Sequence, residues 1–158
     1  MKLVTLPDNS IYKTTLLVCL FLFVNTLNFA QVTKDTSSFG KLKVIITGFE
    51  SNDGNCRFAL DNSEYIYESE DTVWIGKVLP IENKQVVVVI DSLKYGEYAI
   101  RVFHDENKNG KIDTNILGIP TEDYGYSNDA SGWFGPPSWE KAKFIIDKSE
   151  MTITIKVD

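Results

Sequence analysis

Apolar and polar residues alternate along several short stretches of the chain. In LKVIITG, the apolar side chains of Leu42, Val44 and Ile46 fall on one face of an extended backbone. The same period of two runs through residues 55–60 and through MTITIKV near the C-terminus. This alternation is typical of strands that bury one face. The turn residues NDGN between the first two stretches predict that those strands form a hairpin.

Four further stretches have the composition of strands. VWIGKVLPI is followed by KQVVVVID, which is so rich in β-branched residues that we expect both of its faces to be covered. In LKYGEYAIRVFHD the alternation turns Tyr98, Ile100 and Val102 inward. The L-x-x-G-x-Y motif before this strand resembles transthyretin-like sandwiches, in which a tyrosine packs at such a corner. KAKFIID is the last stretch of this kind.

About seven short strands with turn residues between them favour an all-β fold, a single antiparallel β-sandwich of the transthyretin-like or Ig-like type. No stretch shows a helical period over about ten residues. One long segment, residues 104–140, interrupts the regular spacing of the strands. Loops longer than about 15 residues are usually functional or disordered. The aromatic content of this segment argues against disorder.

The N-terminus has the plan of a secretory signal peptide. Lys2 and Lys13 precede an unbroken apolar run over residues 16–24, and a short polar stretch ends in Ala30. The apolar run is shorter than the roughly 20 residues that span a bilayer. We therefore expect cleavage after Ala30 and no membrane span in the mature chain.

Residues 1–30 are thus a predicted signal peptide, residues 31–40 a flexible lead-in and residues 41–158 one β-sandwich domain. The predicted location is secreted or periplasmic. A retained membrane anchor and a lipoprotein modified at Cys19 are the alternatives for the N-terminus.

Charge and cysteine usage narrow the possible partners and stabilising bonds. Cleavage would leave 14 of 16 basic and 21 of 22 acidic residues, a net charge of −7. An acidic chain without basic clusters gains nothing from a phosphate backbone or from anionic lipid, so nucleic acid is not an expected partner. Cys56 would be the remaining cysteine, which excludes an intramolecular disulfide. Because it shares its face with Phe58 and Leu60, we expect a buried, inert thiol.

The polar stretch HDENKNGKID carries oxygen-bearing side chains at alternate positions. Asp105, Asn107 and Asn109 occupy positions one, three and five of a calcium-loop template, Gly110 occupies position six and Asp113 position nine. Calcium prefers six to eight hard oxygen ligands, and a tightly turning backbone brings alternate side chains to one point. The sequence therefore predicts calcium as a cofactor.

The other ligands of this predicted site come from outside the alternation. The main-chain carbonyl of Lys111 would supply position seven, and Glu122 or Asp123 could fold back to complete the shell. The bidentate glutamate of an EF-hand is absent, since Ile116 stands at position twelve. With few charges, the expected dissociation constant is about 10⁻⁴ to 10⁻³ M. The alternative is that the side chains only make Asx-turns and that Asn109 starts a primed hairpin turn.

The segment GIPTEDYGYSNDASGWFGPPSWE is rich in glycine, proline and aromatic residues. Its rings would form a stacking platform for a carbohydrate or a peptide, or would pin the long loop onto the sandwich. We favour the packing role, because aromatic side chains bury large areas. The candidate ligand-binding residues are Tyr124, Tyr126, Trp133, Phe134 and Trp139.

Four segments within this region resemble a known family signature. They are D-x-N-x-N-G-x-x-D-T-N, G-I-P-x-E, G-Y-S-N and F-G-P-P, at residues 105–115, 118–122, 125–128 and 134–137. Together they resemble the signature of a secreted bacterial family, domain of unknown function 2141. The resemblance implies secretion and a single β-rich domain. It implies no catalytic residue, because the family has no assigned activity.

Motifs for catalysis are missing from the sequence. His104 is its only histidine, so a histidine-rich zinc site is excluded and a catalytic triad would need this residue as the base. We expect His104 to be a strand-end residue that hydrogen-bonds the loop. The sequence favours a non-enzymatic module; the alternative is a carboxylate-dependent hydrolase that uses Asp113 with Glu122. The ligand and the oligomeric state are left open.

Overall fold

A computed structural model describes residues 38–69, 72–133 and 135–158, so the predicted signal peptide and most of the predicted lead-in lie outside the described residues. The predicted all-β class is confirmed. The first strand includes the last two residues of the predicted lead-in. The elements are β1 (Phe39–Thr47), β2 (Asn55–Asp61), α1 (Glu64–Tyr67), β3 (Ile75–Leu79), β4 (Gln85–Lys94), β5 (Gly96–Asp105), β6 (Tyr124–Tyr126), a 3-10 turn (Ser127–Asp129), α2 (Trp139–Ala142), β7 (Phe144–Ile146) and β8 (Glu150–Lys156).

The described strands form two sheets that share one core. A three-stranded sheet has the order β4-β1-β8, and a second sheet has the order β3-β2-β5 with β6 and β7 both paired to the far side of β5. Leu42 and Ile46 of the first sheet are fully buried in the same cluster as Phe58, Leu60 and Ile100 of the second. The inward faces that the alternation predicted therefore meet each other, which confirms the sandwich.

The tyrosine corner of the fifth strand is present. Tyr98 is buried, and its hydroxyl donates a hydrogen bond of 2.6 Å to the carbonyl oxygen of Lys94, four residues upstream. Leu93, the first residue of the L-x-x-G-x-Y motif, is buried as well. This bond fixes the turn between β4 and β5, as in the sandwich type that the motif resembles.

Three expectations about the strands were wrong. β1 and β2 do not form a hairpin: β1 pairs with β4 and β8, whereas β2 pairs with β3 and β5, so the NDGN segment crosses between the sheets. β1 and β8 run parallel, so the sandwich is not entirely antiparallel. The outer face of β4 is not covered, because Val87 and Val89 expose 49% and 43% of their surface. β-branched composition indicates a strand but not how many of its faces are buried.

A second, smaller cluster covers part of the outer face of the five-stranded sheet, the face turned away from the main core. Tyr67 of α1 and Trp139 of α2 pack there against Ala99 of β5, with Ala142 beside them. The two helices are single turns of four residues each. KAKFIID is therefore only partly a strand, because α2 occupies its first two residues.

No helix among the described residues is long and apolar enough to cross a membrane.

The Cys56 thiol is buried in the main core, as expected, and burial raises its pKa to about 12. A neutral, enclosed thiol is a poor nucleophile, so we expect a thiol reagent at pH 8 to leave the folded protein almost unlabelled and to react fully in urea. Absorbance of the released chromophore measures both rates. Comparable rates in the two conditions would contradict the buried placement.

The raised pKa of Cys56 also links stability to pH. Because the folded pKa is raised, the stability that depends on the neutral thiol is complete below the unfolded pKa and is lost as the pH rises towards 12.

Candidate functional site

The polar loop begins at Asp105, the last residue of β5. Its side chain lies on the outer face of the five-stranded sheet and is fully buried. The Asp105 Oδ2 atom accepts a hydrogen bond of 2.7 Å from Nε of Arg57, on the neighbouring strand β2. Within the described part of the chain, Oδ1 of the same carboxylate is buried and has no hydrogen-bond partner. A buried oxygen of an ionised group without a partner is costly.

The loop closes on the same carboxylate. The backbone N–H of Gly110 donates to Asp105 Oδ2 over 3.1 Å, which joins positions one and six of the template. Gly110 has φ +84°, a left-handed conformation that favours glycine. A Cβ atom at this position would lie 3.1 Å from Nη2 of Arg57. Both the turn and the close approach of the arginine therefore depend on this glycine.

Positions three, five and nine of the template come together. The side-chain amides of Asn107 and Asn109 donate to the Asp113 carboxylate over 2.6 and 3.0 Å. The side-chain oxygen of Asn107 accepts the backbone N–H of Asn109, and that of Asn109 accepts the backbone N–H of Lys111. The asparagines thus make the Asx-turns of the alternative interpretation, while their side chains also converge on one carboxylate.

Glu122 returns to the loop from outside it. Its carboxylate is buried and accepts the backbone N–H groups of Glu106 and Asp113, each over 2.9 Å. One side chain therefore holds both ends of the loop. Asp123 faces elsewhere: its carbonyl oxygen accepts the N–H of His104, and its Oδ2 atom is buried without a partner in the described residues.

The site as it stands is a hydrogen-bonded cluster of oxygens. In the described ranges, no three or more His, Cys, Asp or Glu side chains are grouped so that they could hold a metal ion by themselves. A cation here would depend on the amide oxygens of Asn107 and Asn109, each of which has a second lone pair besides the one that accepts a backbone amide. For Lys111, the structure shows that its backbone N–H donates to Asn109. The role of its carbonyl oxygen as the ligand at position seven stays a prediction. The primed hairpin turn does not form, since Asn109 is not among the residues with positive φ.

The aromatic residues of the long segment do not share one surface. Trp139 is 5% exposed and Tyr126 is half-buried; both rings contact Tyr67 edge-on, with centroids 5.8 and 6.5 Å away. Trp133 is 91% exposed and Tyr124 is 37% exposed. Phe134 lies outside the described residues. Packing therefore accounts for Trp139 and Tyr126. Tyr124 contacts the Tyr126 ring edge-on, with centroids 5.9 Å apart, but like Trp133 it keeps an exposed face that a sugar or a peptide could stack on.

His104 is enclosed at the end of β5. Its ring is fully buried, it packs edge-on against Phe49, and its Nε2 atom is 2.7 Å from the carbonyl oxygen of Asp53. The carbonyl is an acceptor, so Nε2 carries a proton and donates. His104 is a strand-end residue, as expected, but its ring hydrogen-bonds the turn at Asp53 and not the polar loop. A buried ring tied in this way is badly placed to act as a general base on a substrate.

Sequence reasoning missed the arginine that supports the site. Arg57 lies between Cys56 and Phe58, so the alternation places it on the outer face. The sequence carries no signal for its partner, because the pairing of β2 with β5 joins residues 48 positions apart. Arg101 on β5 makes the corresponding pair with Asp61 on β2, in which Nε donates to Oδ2 over 2.9 Å.

Comparison with known proteins supports the family resemblance and goes no further. A family model described as an uncharacterized protein conserved in bacteria (DUF2141) matches residues 44–154. The matched range includes all eight described strands at least in part, together with the whole polar loop. No curated protein and no solved structure matches the chain.

Proposed function

The chain belongs to the bacterial family DUF2141, and we propose that it is an exported, non-enzymatic β-sandwich module whose loop at residues 105–113 binds calcium. The observation that carries this proposal is the convergence of Asn107, Asn109 and Asp113 in a loop that begins at Asp105, whose buried carboxylate oxygen Oδ1 has no partner in the described chain. Outside the cytoplasm, calcium is the common cation that carboxylate and amide oxygens bind best.

The loop is prepared for a cation by contacts that leave its oxygens available. Arg57 and Gly110 use Oδ2 of Asp105 and leave Oδ1. A cation bound by the second lone pairs of the two asparagine oxygens would replace the side-chain amide groups of Asn107 and Asn109 as the partner of the Asp113 carboxylate. Glu122 already spends its two oxygens on backbone N–H groups, so in this proposal it positions the loop and water completes the shell.

Export and the absence of catalysis rest on separate grounds. Export is supported by the signal-peptide pattern of residues 1–30, and a weak calcium site is useful where free calcium is about 1 mM. A non-enzymatic role is supported by the enclosure of His104 and by the backbone hydrogen bonds that occupy Glu122. The hydrolase alternative would need one of these two groups to face a substrate.

We expect calcium to raise the melting temperature. With about 1 mM free calcium and a dissociation constant near 0.1 mM, binding stabilises the folded state by roughly 1.4 kcal/mol, which corresponds to about 5 °C for a domain of this size. Differential scanning fluorimetry with calcium or with a chelator measures the shift, and titration calorimetry measures the affinity.

Asp113→Asn should abolish this shift while the melting temperature in chelator stays within about 2 °C, because the side chain is only half-buried and keeps one acceptor oxygen for the asparagine amides. Asp91→Asn is the matched control, since Asp91 is an exposed aspartate paired with Lys41 far from the loop in sequence, and it should keep the full response. A wild-type melting curve that is identical in calcium and in chelator would exclude the calcium site.

A further inference from the structure

The segment that follows the calcium loop forms a short hairpin, residues 113–121, which we call the apolar hairpin. The backbone N–H of Thr121 donates to the carbonyl oxygen of Asp113 over 2.8 Å, and that of Asn115 donates to Ile119 over the same distance. The base of the hairpin is therefore Asp113, a residue of the proposed calcium site.

The turn of the apolar hairpin is held by the Asn115 side chain. Its oxygen accepts the backbone N–H groups of Leu117 and Ile119 over 2.9 and 3.1 Å, and the N–H of Gly118 returns to the Asn115 carbonyl. Gly118 has φ +77° and no atom within 4 Å of a Cβ at its position. The tip is thus a fixed turn, and Gly118 at its corner has open space around the position of a Cβ.

The side chains at this tip are aliphatic and lie in solvent. Ile116 is 102% exposed, Leu117 is 77% exposed and Ile119 is 55% exposed. Single exposed apolar residues are common, but three together on one ordered turn mark an interaction site. The turn places them there through hydrogen bonds that the backbone and Asn115 supply, so their exposure is a property of the fold.

We propose that the apolar hairpin inserts its tip into a phospholipid bilayer and so docks the module on a membrane surface. A convex tip of three aliphatic side chains needs a partner that closes around it, and a fluid acyl layer does so without a matched cavity. A fixed turn also loses little conformational freedom on insertion. The exposed side chains of Lys108 and Lys111 lie in the loop at the base of the hairpin, so a bound calcium ion would give this loop a net positive charge that attracts lipid phosphates.

The calcium loop supplies the second contribution that such a tip needs. A single acyl chain gives an association constant of only about 10⁴ M⁻¹, and stable docking takes two signals. The loop carries three acidic residues, Asp105, Glu106 and Asp113, which outnumber its two lysines and repel phosphate when no cation is bound. The calcium dependence of docking therefore rests on the proposed function, whereas insertion of the tip rests on the hairpin alone.

Vesicle sedimentation tests this inference with residues 31–158, the chain that the proposed export would leave. The vesicles contain phosphatidylethanolamine and phosphatidylglycerol at about 1 mM lipid, with calcium or with chelator. We expect the wild type to sediment with vesicles in calcium. The double substitution Ile116→Ser with Leu117→Ser should lower the association constant at least tenfold and leave the calcium affinity from calorimetry unchanged. Ile145→Ser is the matched control, because Ile145 is 56% exposed on β7, and it should bind vesicles as the wild type does.

Each other outcome separates the two proposals. Calcium binding by calorimetry without vesicle binding would overturn the membrane proposal and leave the calcium site standing. Vesicle binding that is lost in the tip variant but is the same in calcium and in chelator would support insertion and remove the calcium coupling. Equal loss in the Ile145→Ser control would overturn the role of the tip. The protein could also fail to bind vesicles but form a concentration-dependent dimer that the tip substitutions dissociate. That result would overturn the membrane proposal and assign the tip to contact with a second copy of the chain.

Discussion

Replacement of Arg101 by methionine should lower the free energy of unfolding by about 3 kcal/mol. The Asp61 carboxylate is fully buried and ion-paired with Nε of Arg101, so the substitution leaves a buried charge that keeps only a 3.3 Å hydrogen bond from the N–H of Trp74. The estimate is at the lower end for a broken buried pair because the Arg101 side chain is 24% exposed. Urea unfolding followed by tryptophan fluorescence measures the loss.

Arg101 also binds the described residues that flank positions 70–71 in the segment between α1 and β3. Its two Nη atoms donate to the carbonyl oxygens of Ser69 and Thr72, and its guanidinium lies 5.6 Å from the centre of the Tyr67 ring. Methionine keeps the aliphatic contact with Tyr67 but makes none of these hydrogen bonds. We therefore expect the loss of stability to be accompanied by faster amide exchange in this segment.

Two matched variants show whether the buried charge causes the loss. Adding Asp61→Asn to Arg101→Met should recover part of the stability, because the double variant has no unpaired buried charge. Lys41→Met removes the cation of an exposed pair with Asp91, in which the side chains are 49% and 69% exposed, and should change stability by less than about 0.5 kcal/mol. If Arg101→Met costs no more than Lys41→Met, the Asp61 pair is not the buried interaction described here.

Local alternation predicts the strands of this protein well because side chains in a strand alternate between its two faces. Leu42, Val44 and Ile46 are all fully buried, as their period of two indicates. Alternation does not identify the neighbour of a strand. The turn residues 51–54 suit a hairpin, yet they connect strands of opposite sheets, because the apolar faces of β1 and β2 are buried against each other across the core.

The site was predicted to the extent that it is local. Spacing alone brought Asn107, Asn109 and Asp113 together, since a tight turn around Gly110 needs no distant contact. The return of Glu122 was predicted only as one of two choices with Asp123. The reason is that the sequence has no strong turn signal for the hairpin that connects the loop to these two residues. Arg57 was missed, since its contact with the loop depends on strand pairing that no local pattern specifies.

Composition also does not distinguish the buried from the exposed aromatic side chains of the long segment. Trp133 and Trp139 are six positions apart among similar glycine and proline residues, but one is exposed and the other is buried. The difference arises from α2, a single helical turn that lays Trp139 against Tyr67 and Ala99. A four-residue helix is too short to show a helical period, so sequence analysis had no means of finding it.

Ser127→Ala is expected to cost about 2 kcal/mol of unfolding free energy, although the change removes one atom. β6 pairs with residues 101–103 of β5 and β7 pairs with residues 96–98 on the same side, which leaves a gap between them. The fully buried hydroxyl of Ser127 fills this gap: it accepts the N–H of Ile100 over 2.9 Å and donates to the carbonyl oxygen of Ala142 over 2.6 Å.

Alanine would leave the Ile100 N–H buried without an acceptor, whereas the Ala142 carbonyl keeps the Asn128 side-chain amide at 3.2 Å. The amide proton of Ile100 should therefore exchange faster than its neighbours in the variant, which hydrogen exchange by NMR resolves residue by residue. Ser131→Ala, an exposed serine in the same segment, should leave both stability and exchange unchanged. Because Ser127 and Asn128 belong to the G-Y-S-N segment of the family signature, a stability loss without a change in calcium affinity would assign that part of the signature to the closure of β5, separate from the loop at residues 105–113.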